Sequence, residues 1–203
     1  TMAAVMNGMA LHGGVIPACG TFFVFSDFMK PAVRLAALMR LPVKYIWTHD
    51  AFRVGEDGPT HQPVEQEAQI RLMEHLKNHH GENSMLVLRP ADAIETNIAW
   101  KLALENKTTP TALILSRQNI KTLPFTGKSR MEAAAMASRG AYIVTDAKGK
   151  PDVIMVASGS EVATLVDAGA ILSAEGIKPR IVSAPSEGLF RMQDEKYRQS
   201  VIT

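Results

Sequence analysis

Short apolar runs rich in Val, Ile and Phe alternate along this chain with longer segments whose apolar residues recur at helical spacing. This is the pattern of strand and helix units wound around a parallel sheet. "MAAVMNGMAL" reads as a helix stopped by Gly13-Gly14, "TFFVFS" as a strand, and "PAVRLAALMR" as a helix opened by Pro31 in its first turn. "VKYIWTH" is then a strand and "PVEQEAQIRLMEHL" a helix that begins at Pro63. "MLVLRP" follows as a strand, "ADAIETNIAWKLALEN" as a helix and "TALILS" as a strand. Asp92 and Glu95 stand at capping-box spacing, with Asp in place of the usual Ser or Thr, which marks that helix start well. The expected fold class is α/β, a doubly wound, mostly parallel sheet followed by an incomplete second α/β unit.

From Arg117 to about Arg139 the periodicity weakens, and "RQNIKTLPFTGKSR" reads as a linker running over the surface. The expected organisation is therefore a domain at 1–120, a linker at 121–139 and a second unit at 140–203. That unit offers "AYIVTD" and "PDVIMVASGSE" as strands, "EVATLVDAGAILSAEG" as a helix and "PRIVSAP" as a strand. Roughly 60 residues do not cover both faces of such a sheet, for which about 100 to 150 are typical. The sequence stops as a further helix would begin, so the reading is of a piece of something longer.

Composition narrows the function classes. The chain has 203 residues, is 46% hydrophobic and carries a formal charge of +2. Its basic residues are scattered and form no stripe, which argues against nucleic acid as a partner. No apolar run approaches the roughly 20 residues that span a bilayer, so no membrane association is expected. The start lacks the basic region and cleavage site of a signal peptide, and a cytoplasmic location is expected. The lone Cys19 and eleven Met suit a reducing compartment. Cys19 reads as a small buried hydrophobe, not a nucleophile.

Candidate chemistry gathers where ligands bind in open parallel sheets, at the carboxyl ends of the strands. "VKYIWTH" delivers His49 to such an end, and the stretch "THDAFRVGEDGPTHQPVEQ" runs on from it. Gly55, Gly58 and Pro59 restrain that loop, so it can hold Glu56, Asp57 and His61 at fixed positions; a solvated turn before a capped helix is the plainer alternative. Phe22, Phe25 and Phe28 recur every three residues. A regular strand would put Phe22 and Phe25 on opposite faces unless the chain bends near Ser26; they offer either core packing or an aromatic wall to a flat ligand. Arg117 follows "TALILS" directly, where a guanidinium could grip a phosphate or equally stand at the surface. His75 and His79, four apart with His80 adjacent, could set two imidazoles on one helix face, but a third metal ligand is not evident, and "SGSE" is too short for a phosphate fingerprint.

Taken together, "GTFFVFSDF", "AVRLAALM", "THD…VGEDGPTHQPVEQ", "LRPADAIET" and "LILSRQN" resemble the transketolase family in content, order and spacing. "VGEDGPTHQP" followed by "SRQN" fits that family better than the deoxyxylulose-phosphate synthases or the pyruvate dehydrogenase type enzymes. The resemblance implies that 1–120 is the pyrimidine-binding domain and 140–203 the start of the C-terminal domain. It also implies transfer of a two-carbon ketol unit between ketose and aldose phosphates, in the pentose phosphate pathway, with thiamine diphosphate as cofactor. Phe22, Phe25 and Phe28 would form the pocket for the aminopyrimidine, with Phe25 as the stacking ring. His61 would lie beside its amino group and assist proton movement. His49 and Arg117 would grip the sugar phosphate, His49 also acting in catalysis, and Asp57 would select a substrate hydroxyl.

The resemblance implies no metal ligand within this chain; magnesium or calcium would be bound by the N-terminal domain, and a homodimer would complete each site at the subunit interface. Two departures stand out. The family usually has Tyr where Phe28 stands, and its activating glutamate lies just before the segment that begins here at Thr1. The expectation is therefore a transketolase piece that does not turn over alone. The alternative is a catalytically inactive transketolase-like subunit serving dimerisation or regulation.

Overall fold

The computed structural model describes residues 2–50, 54–125, 127 and 129–203, which fall into two compact units. The first comprises 1–88 and 101–118, the second 89–100 and 119–203. In the first, helix α1 (Met2–His12) leads to strand β1 (Ala18–Phe22), helix α2 (Ser26–Leu38), strand β2 (Lys44–Thr48), helix α3 (Gln66–His75) and strand β3 (Leu86–Leu88). Helix α4 (Ala93–Glu105) ends in this unit, and strand β4 (Thr111–Ile114) completes its sheet. The strands are all parallel, in the order β1-β2-β4-β3. β2 and β4 have neighbours on both sides, and their Tyr45, Trp47, Ala112, Leu113 and Ile114 are all inaccessible to solvent. Met29, Val33 and Ala36 of α2, at helical spacing, join Tyr45, Trp47, Ala112 and Ile114 in one core with Phe23 and Ile70. Polar groups within this core are paired. The Tyr45 hydroxyl donates to Asn7 Oδ1 at 2.8 Å, and Asn7 Nδ2 donates to the Ala32 carbonyl at 2.8 Å, tying α1 to α2.

Two boundaries differ from the sequence reading. The strand expected to run through Ser26 stops at Phe22, a 3₁₀ turn takes Phe23–Phe25, and α2 starts at Ser26, so Pro31 lies inside the helix instead of opening it. Burial of Phe23, Ser26 and Met29 on one side of this bend outweighs the strand preference of the Phe-Phe-Val run. Likewise α3 begins at Gln66, three residues after the expected Pro63.

The second unit holds helix α5 (Arg130–Ala135), strands β5 (Tyr142–Thr145) and β6 (Val153–Ala157), helix α6 (Glu161–Ala174), strand β7 (Pro179–Ser183) and helices α7 (Glu187–Arg191) and α8 (Glu195–Ile202). Its sheet has the order β5-β7-β6, with β6 parallel and β5 antiparallel to β7. The segment expected to be a featureless surface linker contains α5, capped by Ser129, and buries Leu123 and Arg130. Its Thr126 and Lys128 lie outside the described residues. Where one further helix was expected to begin, there are two, α7 and α8. Among the described residues no helix is long and apolar enough to cross a membrane.

The expected helix start at Asp92 is present in the second unit. The Glu95 N–H donates to Asp92 Oδ1 at 2.8 Å, and Glu95 Oε2 accepts from the Ala91 N–H at 2.8 Å. Both carboxylates are buried and meet Arg130, whose Nε donates to Asp92 Oδ2 at 2.8 Å and whose Nη2 donates to Glu95 Oε1 at 3.3 Å. Tyr142 donates its hydroxyl hydrogen to Glu95 Oε1 at 2.5 Å. Burial pushes the Glu95 carboxyl above the usual carboxylate range, against the pull of Tyr142 and Arg130.

Candidate functional site

Parallel pairing dictates which strand ends meet. β1 pairs with β2 so that Phe22 lies opposite Thr48, and β2 pairs with β4 so that Trp47 lies opposite Ile114. The chain leaving these ends stays paired for a further step, the Leu115 N–H donating to the Trp47 carbonyl at 2.8 Å and the Asp50 N–H to the Leu115 carbonyl at 3.3 Å. His49 and Arg117 therefore emerge at the same edge of the sheet as Phe22, where ligands bind in open α/β folds.

The bend after Phe22 brings Phe22 and Phe25 onto one side, their rings 6.2 Å apart and only 18° from parallel. His49 lies flat on Phe22, with centroids 3.6 Å apart and 19° between the planes. His61 meets Phe25 edge-on at 5.3 Å and 80°. Phe28 is 6.2 Å from Phe25 but 79% exposed, at the outer margin of the group. Phe23, which the three-residue spacing skips, is the buried ring of the run and packs on Trp47 at 5.7 Å.

Polar groups surround this wall. His49 has a positive φ of 61°, rare for a non-glycine residue, and its Nδ1 lies 2.9 Å from Thr48 Oγ1. His61 Nδ1 lies 2.8 Å from Thr60 Oγ1 in the same way. His49 Nε2 and Arg117 Nε each stand 3.9 Å from Asp57 Oδ2. Among the described residues that oxygen, shielded from solvent, has no hydrogen-bond partner, and neither do the shielded Ser116 Oγ and Gln118 Oε1. A shielded oxygen without a donor is costly, and a ligand hydroxyl would satisfy it. Arg117 also donates from Nη1 to the Val54 carbonyl at 3.1 Å. Gly55, at φ +86°, lets the loop lie against Arg117; a Cβ there would come within 2.4 Å of Arg117 Nη1.

All six expected site residues other than Phe28 thus lie in one contiguous set of contacts. Of the stretch that follows His49, Ala51, Phe52 and Arg53 lie outside the described residues, and Glu56 is exposed. Thr48, Thr60 and Gln118 escaped the sequence reading; the repeated Thr-His pair in "THD" and "THQ" is the signal that could have found the two threonines. Cys19 is buried, which pushes its thiol up to about 11 and keeps it unreactive. The rings of His79 and His80 are 4.4 Å apart, but among the described residues no group of three or more His, Cys, Asp or Glu is placed to hold a metal ion. In the second unit, the "SGSE" turn packs on Arg89, which ion-pairs with Glu161 at 2.8 Å.

Comparison with known proteins gives a consistent answer. The family model described as the transketolase pyrimidine-binding domain matches residues 1–122, and that of the transketolase-like C-terminal domain matches 140–203. The transketolase of Bacillus subtilis is 49% identical over 202 residues, and that of Halalkalibacterium halodurans 50% identical over 201. In both cases 99% of this chain is covered, and the chain spans about 28% of the relative's length. Among solved structures, a Pichia stipitis transketolase in complex with sedoheptulose-7-phosphate superposes with a TM-score of 0.84 at 41% identity, over 98% of this chain and 27% of that one. A split-gene transketolase, described as an inactive β4 tetramer, superposes with a TM-score of 0.66 at 29% identity, over 90% of this chain and 53% of that one.

Proposed function

The chain belongs to the transketolase family, and we propose that it forms the part of such an enzyme that holds the cofactor's pyrimidine ring and the sugar phosphate. The reaction is transfer of a two-carbon ketol unit between ketose and aldose phosphates, in the pentose phosphate pathway, in the cytoplasm. Residues 1–120 act as the pyrimidine-binding domain, 121–139 connect, and 140–203 begin the C-terminal domain. The carrying observation is the convergence of Phe22, Phe25, His49, Asp57, His61 and Arg117 at adjoining strand ends.

These residues fit the pyrimidine half of thiamine diphosphate. Half-exposed, near-parallel Phe22 and Phe25 present an aromatic wall for a flat heterocycle, and a histidine stands edge-on beside it. The bound cofactor supplies the electron sink that carbon–carbon cleavage requires. Phe25 takes the ring face, with Phe22 beneath and Phe28 at the outer rim. His61, its Nδ1 engaged by Thr60, moves a proton at Nε2 near the pyrimidine amino group. Arg117 and His49 bind the sugar phosphate, and Asp57 takes a substrate hydroxyl on its unpartnered Oδ2. Magnesium or calcium, with the diphosphate, is held by residues outside this chain, and a homodimer completes each site at the subunit interface. The chain alone does not turn over.

A second reading, a subunit without activity of its own that serves dimerisation or regulation, draws on the likeness to the split-gene transketolase in its inactive β4 tetramer. Ketol transfer by the active protein containing this chain separates the two. In that assay Asp57→Ala lowers kcat/KM for 2-hydroxylated aldehyde acceptors at least about tenfold, since an unpaired buried group costs over 1 kcal/mol. Use of an acceptor without the hydroxyl and affinity for thiamine diphosphate change less than about twofold. Equal loss with both acceptors would remove Asp57 from the substrate role, and no transfer in any assembly would favour the second reading.

A further inference from the structure

We propose that Thr48 is a positioning residue whose hydroxyl holds His49 as the tautomer with its proton on Nε2, so that this ring donates, and does not accept, a hydrogen bond at a substrate oxygen. The proposal deepens the reading of His49 as a sugar-phosphate contact and, for its substrate half, rests on it.

A neutral imidazole carries one donor and one acceptor nitrogen, and the partner of one nitrogen decides the role of the other. Thr48 Oγ1 lies 2.9 Å from His49 Nδ1 and, among the described residues, has no other hydrogen-bond partner. If the hydroxyl accepted a proton from Nδ1, its own hydrogen would need a second acceptor, and no hydrogen bond from it to another described residue accompanies the His49 contact. The pairing that leaves nothing unsatisfied has the hydroxyl donating to Nδ1, which puts the ring proton on Nε2.

A second observation agrees independently. Nε2 faces the Asp57 carboxylate at 3.9 Å, where an N–H is attracted and a lone pair repelled. Two further contacts hold the ring in place. The stack on Phe22 at 3.6 Å fixes its plane, and the left-handed backbone at φ 61° fixes its root. In this orientation Nδ1 is engaged by Thr48, and Nε2 is the ring nitrogen that faces Asp57 and a ligand beside it. The neighbouring Thr60–His61 pair repeats the contact at 2.8 Å, but Thr60 is exposed, water can replace its hydroxyl, and the same conclusion does not extend to it.

The test is nitrogen NMR of the active protein containing this chain, carrying ¹⁵N-labelled histidine, at a pH above the ordinary imidazole range, where the two ring nitrogens report the tautomer directly. The wild type and Thr48→Ser should show His49 protonated on Nε2, while Thr48→Val, which keeps the shape and removes the hydroxyl, should raise the Nδ1–H share about fivefold. Asp57→Asn, which leaves Thr48 in place, should shift the share the same way by less, and it serves if Thr48→Val fails to match the wild-type circular dichroism. Titration with fructose 6-phosphate should then bind about fivefold more weakly to Thr48→Val, with affinity restored in Thr48→Ser. A wild-type ring protonated on Nδ1, or a tautomer unmoved in both Thr48→Val and Asp57→Asn, overturns the tautomer assignment. A tautomer that shifts as expected while fructose 6-phosphate leaves the His49 signals unmoved in every variant upholds the Thr48 clamp and overturns the sugar-phosphate role of His49.

Discussion

In the second unit Arg130 lies between Asp92 and Glu95, all three side chains buried and every charged contact at 2.8 to 3.3 Å. In the first unit Arg117 and His49 each stand 3.9 Å from Asp57, Arg117 is 45% exposed, and among the described residues a shielded oxygen of Asp57 has no hydrogen-bond donor. The residue types are nearly the same and the physical outcome is opposite. The Arg130 cluster is closed: caps, an N–H of Leu123 and the Tyr142 hydroxyl use up its carboxylate oxygens, so it has nothing to offer a ligand. The Asp57 cluster is open, with charge and acceptor capacity held in place and left over. A fold keeps such a surplus where something else is to complete it.

The widest separation between the two clusters should come from removing each arginine. Arg130→Met leaves two buried carboxylates without their cation and should cost about 3–5 kcal/mol of stability. Arg117→Met, at a half-exposed position, should cost less than about 1 kcal/mol. Urea unfolding followed by circular dichroism measures both. Similar losses for the two variants would erase the distinction between a closed structural cluster and an open site.

A smaller effect probes how firmly the open site is built. Gly55→Ala must accept a φ of +86° and move the Arg117 guanidinium out of the 2.4 Å approach. The guanidinium is the far end of a flexible side chain, so backbone strain should dominate, at about 1–2 kcal/mol. If the site is soft, the cost should fall by only a few tenths of a kcal/mol in an Arg117→Ala background, read as a double-mutant cycle. A cost above about 3 kcal/mol that disappears in that background would mean Arg117 is locked as tightly as Arg130.

The same contrast explains what could be read from the sequence. The alternation of β2, α3, β3, α4 and β4 was legible because doubly covered parallel strands are apolar throughout and their helices periodic. The end of β1 was not, since "TFFVFS" suits a strand locally and only the burial of Phe23 against Trp47 turns it. The Arg130 cluster was half legible: Asp92 and Glu95 announce a cap, but nothing near Arg130 in sequence says that it closes the pair from 38 residues away. At the site, position at strand ends singled out His49 and Arg117, while Asp57 and His61 gained their meaning from the family resemblance. That Thr48 and Thr60 bear on the ring nitrogens depends on backbone geometry that a dipeptide does not reveal.

A buried cation with no carboxylate beside it supplies the intermediate case. Lys44, at the start of β2, is 1% exposed, and its Nζ donates to the Asn106 carbonyl at 2.7 Å. Burial, with the charge of Lys107, lowers its pKa from 10.5 to about 8, whereas Arg130, also buried, is held above its ordinary value because Asp92 and Tyr142 outweigh the burial that would lower it. Between these two pKa values the unfolded chain binds the proton that the folded chain has released, so stability rises with pH as the penalty of a buried charge fades. Below about 8 both states are protonated and the penalty is complete. The gain should be on the order of 1 kcal/mol from pH 8 to 9. Above that, burial of Cys19, whose thiol is raised from 9.0 to about 11, offsets the rise, and burial of Tyr45, raised from 10.0, then reverses it, because both acids ionise first in the unfolded chain. Lys44→Met isolates the contribution: its stability should exceed that of the wild type at pH 7 and converge on it as pH approaches 10. A constant difference across that range would show that Lys44 keeps its proton when folded, and that a single carbonyl satisfies a buried cation as well as two carboxylates do.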